Sequence, residues 1–220
     1  MCGLYGFHSR GRPPQADLLR ALAGLAGTRG PHAHGHANQG VRHVALGALR
    51  PEGVAGVTGS VIGHARMATA GHYQDLAAAQ PLQAGRLFLA HNGTVPGHEL
   101  LAAAHGLTLA TGSDSEVLAQ LLAQAGTLAG QAAVLEALTP GLPLALLALE
   151  GDTLTSARRG HPLHVRRAPE GTYLCSLPFA GSEPLPDATV WHFGPQGEAS
   201  HALATTADLR RNQGGPAWTP

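Results

Sequence analysis

Apolar positions recur along the chain with two periods, and their order sets the fold class. Near the start, Leu4 and Gly6 alternate with Tyr5 and Phe7, which predicts a strand over residues 2–8. Leu18, Leu19, Leu22 and Leu25 follow at helical spacing behind Pro13 and Pro14, a start signal, and predict a helix over residues 15–25. Residues 30–40 read as a turn-rich loop, and the apolar runs 43–49, 57–64 and 87–91 read as strands. Ser113, Asp114, Ser115 and Glu116 spell a capping box, and Val117, Leu118, Leu121 and Leu122 continue it with an apolar face. A further helix is expected over residues 131–138. After Gly141 the pattern becomes strand-like again at 143–149, 153–157, 163–166, 172–175 and 188–193, broken by Gly and Pro. Strands, a helical middle and more strands predict one α+β domain with mostly antiparallel sheets. The domain is expected over residues 2–204, with a loose tail over 205–220.

Composition narrows the function classes. With 44% hydrophobic residues over 220 positions, the chain can build its core without metal or disulfide help. All 14 basic residues are Arg, which excludes a phosphate-loop lysine, a Schiff-base lysine and a Ser-Lys dyad. The formal charge is zero and the arginines are scattered. Arg158, Arg159, Arg166 and Arg167 come nearest to a cluster, too small for a nucleic-acid footprint, so no nucleic-acid partner is expected. The longest strongly apolar run, residues 142–149, falls far short of the roughly 20 residues of a membrane helix. With no signal peptide before Cys2, a cytoplasmic location without membrane association is expected. Cys2 and Cys175 have no zinc spacing. His32, His34, His36 and His43 crowd together without a carboxylate or cysteine beside them and read as solvated loop histidines, so neither metal nor cofactor is expected.

The candidate chemistry begins at Cys2. Removal of Met1, which a small following side chain permits, would leave a terminal residue carrying both a thiol and a free α-amine. The amine's reference pKa of about 7.7–8.0 lets it take and return a proton near neutrality. Nucleophile and terminal amine on one residue is the logic of N-terminal Thr hydrolases. The other reading of Cys2 is a small buried thiol opening the first strand.

Four other segments bear on that choice. Gly63-His64-Ala65-Arg66-Met67-Ala68-Thr69 ends one apolar strand, and His91-Asn92-Gly93 ends another. Asp114 lies in the first turn of the capped helix, and Arg29-Gly30-Pro31 in the early loop. Each has an ordinary alternative: Arg66 in an ion pair, Asn92-Gly93 as a hairpin turn, Asp114 as a carboxylate facing the helix dipole.

Taken together with Met1-Cys2-Gly3, in this order, the set resembles the class II glutamine amidotransferases, whose glutaminase domains are N-terminal nucleophile hydrolases. The resemblance runs from Cys2 to about Ser176 and includes Gln80-Pro81-Leu82. It implies a four-layer αββα sandwich of two mostly antiparallel sheets flanked by helices. It implies Cys2 as nucleophile, with the Asn92 side chain and the Gly93 N–H as oxyanion donors. Arg66 and Thr69 would bind the carboxylate of L-glutamine, and Asp114 its ammonium. The expected activity is that of a stand-alone glutaminase passing ammonia to a separate synthase subunit. The alternatives are a γ-glutamyl amide hydrolase acting unpartnered on a small metabolite, and a non-catalytic binding subunit that keeps the fold. The chain departs from the family at His32, Met67 and Leu177, where an acidic, an aromatic and an acidic residue are usual.

Overall fold

In the computed structural model, which describes residues 1–67, 74–205 and 207–208, the alternating segments pair into two antiparallel sheets. The elements run β1 (Gly3–Ser9), α1 (Ala16–Gly27), β2 (Ala33–Asn38), β3 (Val41–Leu46), β4 (Val61–Arg66), β5 (Leu82–Ala84) and β6 (Leu87–Gly93). The helices α2 (His98–Ala104), α3 (Ser115–Ala125) and α4 (Leu128–Leu138) follow. The chain then returns to strands: β7 (Leu144–Glu150), β8 (Thr153–Arg159), β9 (His164–Ala168), β10 (Gly171–Cys175), β11 (Glu183–Pro184), β12 (Thr189–Gly194) and β13 (Gly197–Ala202). The first sheet is ordered β11-β9-β10-β1-β4-β2-β3 and the second β13-β12-β8-β7-β6-β5.

Alternation decides the layers. Along β1, Leu4 points to the other sheet and meets Ile62, Phe88, Leu147 and Leu154, all buried. Tyr5 and Phe7 point the opposite way and pack on Leu19, Leu22 and Ala26 of α1. The outer face of the second sheet, including Leu89 and Leu146, is covered by Val117, Leu118 and Leu122 of α3 and by Leu135 of α4. The order is therefore helix, sheet, sheet, helices, the αββα sandwich expected. Each large apolar side chain so buried is worth about 1.5–3 kcal/mol. Gly3 sets how closely the first two layers approach: a Cβ there would lie 2.0 Å from the Ala26 carbonyl oxygen. No side chain but hydrogen fits under the last turn of α1.

The structure corrects several local expectations. Residues 33–38 of the supposed turn-rich loop form β2, whose partner is β3 on one side and β4 on the other. Alternate burial along Ala33, Gly35 and Ala37 is a strand signature that the Gly and His content concealed. His34, His36 and His43 are therefore strand rather than loop residues, with His34 and His36 half-buried and His43 exposed. His36 stacks on His43 across the hairpin at 4.8 Å, and burial together with the neighbouring His43 and His34 pushes its pKa down to about 4. The capping box does not form either. Asp114 occupies the N-cap without a side-chain cap bond, and the Glu116 carboxylate instead accepts from the backbone N–H groups of Ala110 and Thr111, both at 2.7 Å. Glu116 secures the preceding loop, which leaves the Asp114 carboxylate for other partners. The tail expected from residue 205 falls mostly outside the described residues. No described helix is long and apolar enough to cross a membrane.

Candidate active site

Cys2 stands one residue before β1. Because Gly3 faces Ala65 across β1 and β4, Cys2 arrives opposite Arg66 at the strand end. The Cys2 thiol is clasped by the next residue: the Met67 N–H donates to Sγ at 3.4 Å, and Sγ lies 3.7 Å from the Met67 carbonyl. Burial raises the thiol pKa, opposed by the Met67 N–H, the terminal ammonium, Arg66 and Arg29. Burial is the largest of these influences, so the sulfur needs a base to become a nucleophile. Cys175, the other free cysteine, is buried in the sheet and pushed up to about 11, chiefly by burial.

Asn92 and Gly93 close β6, beside Ala145 and Leu144 of β7. They are strand residues, so the hairpin-turn reading of that pair does not hold. The Cys2 backbone N–H donates to Asn92 Oδ1 at 3.3 Å. Asn92 is 6% exposed, and its Nδ2 has no hydrogen-bond partner among the described residues. A buried amide donor left unused costs free energy unless something else takes it up, so it marks where an acceptor is to sit.

Arg66 donates from Nη1 to the Asp75 carbonyl at 3.1 Å. No ion pair of Arg66 occurs among the described residues. Its main chain is fixed as well, its carbonyl accepting from the His32 N–H at 3.1 Å, which ties the Arg29-Gly30-Pro31 loop to the strand end. Asp114 Oδ2 accepts from the Val95 N–H at 2.7 Å, and Oδ1 from the Ser115 hydroxyl at 3.3 Å. Its carboxylate therefore links the segment after β6 to the start of α3, a more specific task than facing a helix dipole.

Cys2, Arg66, Asn92, Gly93 and Asp114 all line one cavity of about 530 Å³. Met1, 61% exposed, lies at its wall. Five of the six residues expected from the sequence are thus brought together. Thr69, the sixth, lies outside the described residues. Several wall residues had no role assigned from the sequence, among them His91, Ser115 and His161. The His91 ring is wholly enclosed and its pKa falls to about 4 through burial, with Asp114 opposing and His161 adding to the fall. His161 is lowered as well, by burial first and then by Arg29 and the terminal ammonium. No single-residue pattern marks these positions; only the proximity of β6, α3 and the turn after β8 does. Among the described residues, no three His, Cys, Asp or Glu side chains are placed to hold a metal ion.

The arrangement can bind a small zwitterion between a guanidinium and a carboxylate and present its far end to a sulfur flanked by amide donors. Neither a family model nor a curated protein matches the chain. Solved structures do. The glutamine phosphoribosylpyrophosphate amidotransferase from B. subtilis, complexed with ADP and GMP, superimposes with a TM-score of 0.70 at 22% identity. That match covers 92% of this chain and 49% of the other, so the chain spans about half the length of that enzyme. A glutamine aminotransferase class-II domain protein from Silicibacter pomeroyi matches with a TM-score of 0.63 at 18% identity, over 92% of this chain and 100% of the other. A predicted glutamine amidotransferase from Pseudomonas aeruginosa PA01 matches at 14% identity and a TM-score of 0.50, over 92% and 95% of the two chains. The chain has the fold of class II glutamine amidotransferase domains.

Proposed function

We propose that this chain is a class II glutamine amidotransferase domain that hydrolyses the side-chain amide of L-glutamine through a thioester on Cys2. The observation that carries the reading is the Asn92 amide, whose oxygen holds the Cys2 nitrogen while its buried NH2 has no partner among the described residues.

The chemistry follows from the residues. Arg66 forks onto the glutamine carboxylate, and Asp114 accepts from its ammonium, so the headgroup fixes how far the amide reaches. Once Met1 is gone, the Cys2 amine takes the thiol proton, which burial otherwise keeps on sulfur. Sulfur adds to the amide carbon, and the carbonyl oxygen becomes an oxyanion facing Asn92 Nδ2 and the Gly93 N–H. The amine then returns its proton to the departing nitrogen, and ammonia leaves. Water attacks the thioester, releasing glutamate and restoring the thiol. The fold alone would serve a protein without this chemistry; the clamp and the idle amide donor favour catalysis.

We further propose that the ammonia passes to a separate synthase subunit. Repeated co-purification without a partner, with full glutamine turnover by the chain alone, would argue against that transfer. The central test is intact-mass spectrometry before and after treatment with 6-diazo-5-oxo-norleucine, a glutamine analogue that alkylates thiol nucleophiles. Loss of Met1 and one adduct, absent in Cys2→Ala, are expected. A chain that retains Met1 and still turns over glutamine overturns the mechanism.

A further inference from the structure

In the cavity wall lies a buried polar cluster of Gln80, His91 and Ser115, 8%, 2% and 2% exposed. Its hydrogen bonds admit one assignment of protons. The His91 backbone N–H, which can only donate, meets Gln80 Oε1 at 2.6 Å. That fixes the orientation of the Gln80 amide, so its Nε2 donates to Ser115 Oγ at 3.2 Å. The Asp114 carboxylate, which can only accept, lies 3.3 Å from the same hydroxyl. The single Ser115 proton therefore goes to Asp114 Oδ1. One lone pair of the hydroxyl remains, and His91 Nδ1 sits 3.0 Å away. His91 must then carry its proton on Nδ1, leaving Nε2 as a bare lone pair. That nitrogen is buried without a partner among the described residues, over Gly93: a Cβ on Gly93 would come within 2.4 Å of it.

From this geometry we infer that Ser115 is a positioning residue which locks the Asp114 clamp and the Asn92-Gly93 strand end into one unit. The inference rests on the glutaminase reading for its kinetic consequences, though not for the hydrogen-bond assignment itself. Ser115 lines the cavity, but its hydroxyl is taken up by Gln80, His91 and Asp114. It acts through Asp114 on one side and through the His91 ring and Gln80 on the other, and both of these border the oxyanion donors. Without its hydroxyl, Gln80 Nε2 and the His91 N–H lose their common acceptor and Asp114 loses one of its two donors. The clamp and the oxyanion donors would then shift independently.

The test is Ser115→Ala, with Ser115→Thr as the variant that keeps a hydroxyl. In Ser115→Ala, KM for glutamine is expected to rise about tenfold and kcat to fall about tenfold, the scale of one hydrogen bond on each side. Ser115→Thr restores most of both. Alkylation of Cys2 by iodoacetamide, which uses neither clamp nor oxyanion donor, stays at the wild-type rate. In an Asp114→Asn background, the KM effect of Ser115→Ala largely disappears, because the two act through one contact. Wild-type kinetics in Ser115→Ala, an equal loss in alkylation, or full additivity with Asp114→Asn would each overturn the inference. The ring ¹⁵N shifts of His91 provide a readout independent of turnover. They are expected to report an Nδ1–H tautomer that Ser115→Ala disturbs, and an Nε2–H tautomer in the wild type overturns the inference. Should the wild type fail to hydrolyse glutamine while His91 shows the Nδ1–H form lost in Ser115→Ala, the glutaminase reading fails and the network stands.

Discussion

Asn92→Asp separates the two tasks of one side chain. The carboxylate is isosteric with the amide and keeps an oxygen for the Cys2 nitrogen, now 3.3 Å from Oδ1. What disappears is Nδ2, the donor with no partner among the described residues. Losing one oxyanion donor typically costs about 10²–10³ in turnover, or about 2.7–4 kcal/mol. The new negative charge beside the forming oxyanion adds to the loss and never offsets it. The retained contact to the Cys2 nitrogen, a hydrogen bond worth about 0.5–1.5 kcal/mol, makes Asn92→Ala worse than Asn92→Asp by up to roughly tenfold. Because the donor engages charge that develops only in the transition state, KM for glutamine should move less than about threefold. The assay is steady-state glutamate release, with thermal melting to confirm folding and iodoacetamide labelling to confirm a live thiol. If Asn92→Asp keeps kcat within about threefold of wild type while labelling normally, the assignment of Asn92 as oxyanion donor is refuted.

Arg66→Lys keeps the charge and loses the fork, so KM for glutamine should rise at least about tenfold with a smaller change in kcat; an unchanged KM places the carboxylate elsewhere. Gly93→Ala drives a methyl to 2.4 Å from His91 Nε2 and 3.3 Å from the Leu144 Cβ. Overpacking of this kind costs about 1–3 kcal/mol, so a lower melting temperature and loss of turnover are expected together. Acid should destabilise the protein in a defined window. Burial holds His64 neutral down to about 3 and His91 down to about 4, against about 6.5 in the unfolded chain. Between pH 6.5 and 4 the unfolded state therefore binds more protons, and stability falls as pH falls, by up to about 1.4 kcal/mol per pH unit for each ring. Denaturant midpoints measured from pH 7 to pH 4 check this, and His64→Leu should reduce the slope by up to about 1.4 kcal/mol per pH unit, with His91, His36 and the other lowered rings carrying the rest. A slope unchanged by that substitution removes His64 from the account.

Much of the architecture could be read from periodicity, because long amphipathic segments declare themselves. The helix at Ala16–Gly27 and the strands from Leu144 to Cys175 fall where the apolar pattern puts them. The failures have physical causes. β2 is built from Ala, Gly, His and Asn, and its burial comes from neighbours β3 and β4 rather than from its own hydrophobicity. β5, β11 and the seven-residue α2 are too short to carry a period. β13 is exposed along its whole length, so no apolar face announces it. That Cys2, Arg66, Asn92 and Asp114 line one cavity was legible because each sits in a motif at a strand or helix end. Ser115 was hidden inside a mistaken capping box. The bonds Glu116 makes to Ala110 and Thr111 depend on how the loop before α3 folds back, which local spacing does not encode. His161 reaches the cavity only through the turn that follows β8, a long-range placement invisible to any window of sequence.

The position of Met1 against the cavity wall has a practical corollary. On the proposed mechanism, an affinity handle or fusion partner joined ahead of Cys2 would leave from the cavity wall and would keep the base tied up as an amide. Recombinant material prepared that way would then report an inert protein, an artefact easily mistaken for biology.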